Sequence, residues 1–142
     1  MNYESLSDGG FATGSMMGSG GFIVLDEDQC VVRHTLTLAR FYRHESCGQC
    51  SPCREGTGWM EKILHNLEYG KGKMSDIDLL WDIQRRIEGN TICPLGDAAA
   101  WPVAAAIRHF RDEFEWHVNN PVESQQRNFG LAHYADVLEI AG

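Results

Sequence analysis

The sequence predicts an all-α fold, a small antiparallel four-helix bundle preceded by a short extended lead-in. Three observations carry that expectation. Four stretches repeat apolar residues at intervals of three and four, the period of a helix with one buried face. Short connections join them, which makes successive helices antiparallel neighbours. A chain of 142 residues, 43% of them hydrophobic, is long enough for one core of this kind.

The elements follow in order. Residues 1 to 21 are rich in Gly and Ser, and Phe22–Leu25 then gives a short apolar strand closed by Asp26, Glu27 and Asp28. From Cys30 to His44, the positions Val32, Leu36, Ala39 and Tyr42, flanked by Leu38 and Phe41, suit a first helix. Trp59, Ile63, Leu64 and Leu67 make one face of a second, which starts near Arg54 and stops at Gly70–Gly72. Ser75 followed by Asp78 resembles a capping box, and Ile77, Leu80, Trp81, Gln84 and Ile87 form a third stripe closed by Gly89. Val103, Ile107, Phe110, Phe114 and Val118 mark the fourth helix, which Pro102 is expected to open or kink. Trp59, Trp81, Trp101 and Phe110 are expected to fill the core. From Asn119 the period fades, as in a strap over the surface or a partly ordered tail. The expected organisation is a lead-in over residues 1–29, a helical domain over 30–118 and a tail over 119–142.

Charge narrows the partners. Lys and Arg total 12 against 20 Asp and Glu, a formal net charge of -8, which disfavours a nucleic-acid backbone or an anionic membrane surface. No run approaches the length of about 18 apolar residues that crosses a bilayer, and "MNYESLSDGG" lacks the basic start and apolar stretch of a signal peptide. A reducing, cytoplasmic setting is expected, in which clustered thiols are metal ligands or catalysts rather than disulfides.

The cysteines are clustered. Cys47, Cys50 and Cys53 stand in the run "HESCGQCSPCREG", and Cys93 stands before Pro94 in "TICPLGD". In an up-and-down bundle the first and third connections share one end, so Cys93 can face the other three. Cys-x-x-Cys-x-x-Cys with a distant Cys-Pro is the ligand pattern of a cubane iron-sulfur cluster. Gly48 would let the backbone pass close to inorganic sulfides, and Pro94 would hold the chain open there with one fewer donor. The N-termini of the second and fourth helices would face an anionic cluster with partial positive charge. Structural zinc is the rival: four-cysteine zinc sites usually arrive as two Cys-x-x-Cys pairs, whereas this chain offers a triplet and a singlet. A thioredoxin-type redox pair would leave Cys53 and Cys93 idle.

Other residues invite plainer readings. Cys30 is expected as a small buried thiol among Val31 and Val32. His44 and Glu45 could hydrogen-bond a cluster sulfur or lie solvated at a helix end. Arg54 could raise the potential of a cluster, or pair with Glu55 or Asp97. His34, His65, His109, His117 and His133 show no paired metal spacing, and Gly18–Gly21 is expected as a turn, not a phosphate cradle.

The segments "FYRHESCGQCSPCREGTGWM" and "IEGNTICPLGDAAAWPVAAAIRHFRDEFE" closely resemble the C-terminal iron-sulfur domain of the NADH-binding flavoprotein subunit of respiratory NADH:quinone oxidoreductase, complex I. Related NAD-linked hydrogenases and formate dehydrogenases share this module. The resemblance runs from Gly14 to Val118, and "GSMMGSGGFIVLDED" is similar to that family's lead-in from a ubiquitin-like (SLBB) domain. It implies that Cys47, Cys50, Cys53 and Cys93 ligate one [4Fe-4S] cluster at one end of the bundle, which takes electrons from reduced flavin and passes them to clusters of neighbouring subunits. It further implies a bacterial, cytoplasmic location within a membrane-associated complex, without membrane insertion of this chain. FMN and NADH are expected on a partner domain or subunit, because the family's "GRGGAGFPTG"-like stretch has no counterpart here. The alternative function is a structural or interaction bundle stapled by a redox-silent cluster or zinc.

Overall fold

The computed structural model describes residues 23–26 and 29–127 of the chain. Among them lie five helices: α1 (Val31–Glu45), α2 (Ser51–Glu68), α3 (Met74–Ile87), α4 (Leu95–Asn119) and α5 (Pro121–Arg127). No strand occurs among the described residues. Residues 23–26 carry no regular structure, so the strand expected over Phe22–Leu25 is not formed in its described part; Phe22 itself lies outside the described residues, as do 1–21, 27 and 28. Ile23 and Val24 are exposed, and no second strand lies among the described residues to pair with this short run, which alone does not hold strand geometry.

Helices α1 to α4 form the expected bundle. α1 packs on α2 and α4, and α3 packs on the same two from the other side. The stripes read from the sequence fill the centre: Val32, Leu36 and Ala39 of α1, and Ile77, Leu80 and Ile87 of α3, are buried. Leu64 and Leu67 of α2 are joined there by Met60, and Val103, Ile107 and Phe114 of α4 by Ala99 and Ala100. A close helix-to-helix approach is at Gly56 of α2, where a Cβ would fall 2.6 Å from the Cδ1 of Ile87 on α3. Ile87 is itself buried, so the contact has little room to give. Gly56→Val is expected to lower stability by about 1–3 kcal/mol, read from the denaturant midpoint, since overpacking a filled core forces side chains off their rotamers.

Several boundaries differ from expectation. α2 begins at Ser51, ahead of Arg54, because Cys50 takes the N-cap and Pro52 lies in the first turn, where a fixed φ and a missing N–H are no cost. Cys53 therefore stands on a helix rather than in the loop. α3 begins at Met74: the Asp76 carboxylate accepts the Lys73 N–H at 2.9 Å, and the Ser75–Asp78 pair lies inside the helix. α4 begins at Leu95, because Pro94 presets φ at -70° and Ala98–Ala100 are strong helix formers. Pro102 remains inside the helix. The backbone leaves helical geometry at Phe110 instead (φ -135°, ψ 31°).

That break turns Phe110 outward, 47% exposed, while Phe114 is fully buried. Trp59 and Trp101 are also outside the core, at 53% and 39% exposed. Trp59 lies one residue, or about 100°, around the helix from the buried Met60, and the Trp101 indole N–H donates to Glu88 Oε1 at 2.7 Å, which holds the ring at the surface. Of the four aromatics expected inside, Trp81 alone packs against the core, with the Arg108 guanidinium 5.8 Å from its ring centre. In the segment expected as a strap, α5 follows α4 directly and buries Ser124, whose hydroxyl donates to the carbonyls of Asn120 (2.9 Å) and His117 (3.3 Å). Residues 128–142 lie outside the described residues.

Candidate metal centre

The connection Ser46–Cys50 must turn the chain from α1 into α2 within a few residues. Gly48 makes this possible at φ +80°, a region closed to most side chains. Two side chains hold the turn: Ser46 Oγ accepts the Gly48 N–H at 3.4 Å, and the Arg54 guanidinium donates to the Gly48 carbonyl at 2.8 Å. Ser46 Oγ also lies 3.1 Å from Cys53 Sγ. The connection from α3 to α4 reaches the same end of the bundle. There the Thr91 hydroxyl donates to the Cys93 carbonyl at 2.9 Å, and the Ile92 N–H donates across to Cys50 Sγ at 3.4 Å. The two connections are thus joined through a cysteine sulfur.

Between them is a cavity of about 150 Å³ lined by Cys47, Cys50, Cys53 and Cys93, together with Glu45, Ser46, Gln49, Thr91 and Leu95. The structure brings all four sequence-singled cysteines to one place. Cys53 is buried, Cys50 half-buried, and Cys47 and Cys93 exposed; all four are free thiols. The electrostatics favour an anion. α2 and α4 both start at this cavity, and the first turn of α2 carries no acidic residue to neutralise its positive end. The one acid in the first turn of α4, Asp97, is occupied with the Gly89 N–H at 2.7 Å. A set of four thiol donors suits soft, thiophilic centres, an iron-sulfur cluster or zinc, and not magnesium or calcium. The residues present therefore fit an anionic cluster with four cysteine ligands.

The charged residues flanking the cavity have partners of their own. The His44 imidazole is exposed and 3.1 Å from Glu45 Oε1, so it is a solvated helix-end residue. Arg54 pairs with Glu55 at 2.9 Å, not with Asp97, while its other nitrogens brace the turn.

Cys30 packs against the core beside Val31 and Val32, as expected, but it also has polar partners. It caps α1, accepting the Arg33 N–H at 3.4 Å, with His117 Nε2 at 3.1 Å and Glu68 Oε2 at 3.5 Å. Burial, and then the Glu68 carboxylate, push its thiol well above the ordinary cysteine range. Glu68 and His117 are buried with it. No spacing rule could have found this group, because Cys30 and His117 stand 87 positions apart. The available signal was positional: each lies at the end of a helix that the bundle brings to the same pole.

A family model described as the NADH-ubiquinone oxidoreductase-F iron-sulfur binding region matches residues 33–117. The chain belongs to this family. Among curated relatives of this iron-sulfur binding region, the F subunit of NADH-quinone oxidoreductase from Rickettsia typhi is 46% identical over 132 residues, covering 93% of this chain and 28% of that protein. Its Rickettsia bellii counterpart is 50% identical over 115 residues, 81% of this chain and 27% of that protein. An F subunit from Rhizobium meliloti is 44% identical over 119 residues, 84% of this chain and 26% of that protein. The chain thus spans about a quarter of the length of these relatives. Among solved structures, an NAD+-reducing [NiFe]-hydrogenase in the H2-reduced state is similar with a TM-score of 0.64 and 33% identity, covering 67% of this chain and 17% of that one. No helix among the described residues is long and apolar enough to cross a membrane.

Proposed function

We propose that this chain is an electron-transfer module of an NADH:quinone oxidoreductase, in which Cys47, Cys50, Cys53 and Cys93 hold one [4Fe-4S] cluster. The observation that carries the reading is the convergence of these four thiols on one cavity at the mouths of α2 and α4, inside the matched iron-sulfur region. When bound, such a cluster supplies a centre that gains and loses one electron. The chain's own residues do the rest. Cys53 anchors the site on a helix, and Cys50 is tied to the opposite connection by the Ile92 N–H. That N–H and the Ser46 hydroxyl lie within hydrogen-bond reach of cysteine sulfurs, where they would draw off negative charge. Exposed Cys47 and Cys93 leave one side of the site open to a docked neighbour.

On this reading the flavin and NADH sites belong to the remaining length of a full F-type protein, or to a separate polypeptide, and neighbouring iron-sulfur subunits receive the electrons. The complex would be membrane-associated and on the cytoplasmic side. The test is metal and sulfide analysis after anaerobic purification, with about four iron and four acid-labile sulfide expected per chain, together with reversible reduction by dithionite. Zinc in place of iron, or a cluster that does not reduce, would leave only a stapled bundle.

Arg54→Gln provides a finer check. The guanidinium is half-exposed and shared with Glu55, so its field at the cavity is partly screened. Its loss is expected to leave the iron content unchanged and to lower the reduction potential on the order of tens of millivolts, measured by potentiometric titration. An unchanged potential would reduce Arg54 to its pairing with Glu55 and its brace on Gly48.

A further inference from the structure

We propose that the pole of the bundle opposite the four-cysteine cavity is a second metal site, in which Cys30, Glu113 and His117, completed by Glu68, bind a zinc ion.

Three helices supply these groups. Cys30 caps the start of α1, Glu68 ends α2, and Glu113 and His117 lie four residues apart on one face of α4. The ligand atoms of Cys30, Glu113 and His117 all fall within 4.8 Å of one another. Glu68 Oε2 adds a fourth, 3.5 Å from Cys30 Sγ and 3.9 Å from His117 Nε2, with 3.1 Å between that sulfur and that nitrogen. With bonds of about 2.0–2.3 Å, the ligands of a tetrahedral zinc stand about 3.3–3.7 Å apart. The three gaps among Cys30, Glu68 and His117 bracket that spacing, and the Glu113 oxygen, within 4.8 Å of Cys30 Sγ and His117 Nε2, would move in toward a bound ion. Thiol, imidazole and carboxylate are also the donor types that zinc takes.

Charge points the same way. Two carboxylates and a thiol gather where Glu68 and His117 are buried, with Arg33 3.8 Å from Glu68. A divalent ion suits acidic donors gathered partly out of water. Glu113 is held in place by the Val31 N–H at 2.9 Å on one oxygen, which orients the carboxylate for a metal on the other. Cys30 and Glu113 are only half-buried, leaving a way in. On binding, the Zn–S bond forms as the S–H bond of Cys30 breaks and its proton passes to solvent; no electron moves.

The experiment uses the full chain purified with its iron, equilibrated with zinc, passed through a desalting column and assayed for both metals. One zinc per chain above the iron is expected, with Glu113→Gln and Cys30→Ser weakening zinc binding at least about tenfold while iron stays constant. Should Cys30→Ser lose its helical circular dichroism, the near-isosteric, half-buried Glu113→Gln carries the test alone. Cobalt in place of zinc should give a thiolate-to-metal absorption that Cys30→Ser removes. Absence of retained zinc would overturn the site, leaving a hydrogen-bonded thiol, imidazole and carboxylate network, and so would zinc held equally by both variants or gained only as iron is lost. Iron below stoichiometry with zinc still bound and still sensitive to Glu113→Gln would count against the cluster and not against this site.

Discussion

Cys93→Ala is expected to lose most of its iron and sulfide and to unfold at a markedly lower denaturant concentration than the cluster-loaded chain. The argument rests on where the side chain is. Cys93 is exposed, and removal of an exposed sulfur by itself changes stability within about 0.5 kcal/mol. Any larger loss must come from the bound group. Binding to the folded chain alone stabilises it by mass action, and ligand sets assembled by folding couple the two events. The discriminating measurement compares wild type and variant twice, with cluster and after chelation: the difference should be large in the first pair and nearly vanish in the second. Cys53→Ala would not separate the effects so well, since Cys53 is buried and lies in the first turn of α2. Full iron in Cys93→Ala would exclude it as a ligand.

Phe114→Ala is expected to cost about 3–5 kcal/mol, a large part of the roughly 5–15 kcal/mol by which small domains are stable. Phe114 is fully buried against the other helices of the bundle. Phe110→Ala, four residues earlier in the same apolar stripe, should change stability by less than about 1 kcal/mol because that ring is half outside. Chemical denaturation of both variants reads the contrast directly. Equal losses would mean that α4 continues as a regular helix through Phe110 and buries both rings.

These two phenylalanines show how far the sequence could be read. Both sit in one three-four pattern, and the pattern cannot see a backbone break that rotates one of them out of the stripe. The same limit applies to Trp59: periodicity finds the apolar side of α2 but not whether Met60 or Trp59 is its centre. The stripes of α1 and α3 were legible because no break interrupts them, so each buried residue stays in phase with the next. Cys47, Cys50 and Cys53 were legible for a different reason, their short spacing, and Cys93 through its proline and the up-and-down order of the bundle. Cys30, Glu68, Glu113 and His117 had neither aid. Each looks ordinary in its own helix, and only the meeting of helix ends gives them neighbours.

The departure at Phe110 also divides α4 into two lengths of rod with separate rotational phase. Leu95 to His109 delivers its side chains to the four-cysteine cavity and the adjoining core, whereas Arg111 to Asn119 presents Glu113 and His117 to Cys30 and Glu68. In an uninterrupted helix every residue's azimuth is fixed to every other's at about 100° per step. Here the angle at which the far length meets α1 and α2 is set locally, at an exposed joint, rather than inherited from the near one. A twist imposed on α4 by whatever binds at one pole can be absorbed at Phe110 before it reaches the other, so each pole can be rebuilt without re-indexing its opposite.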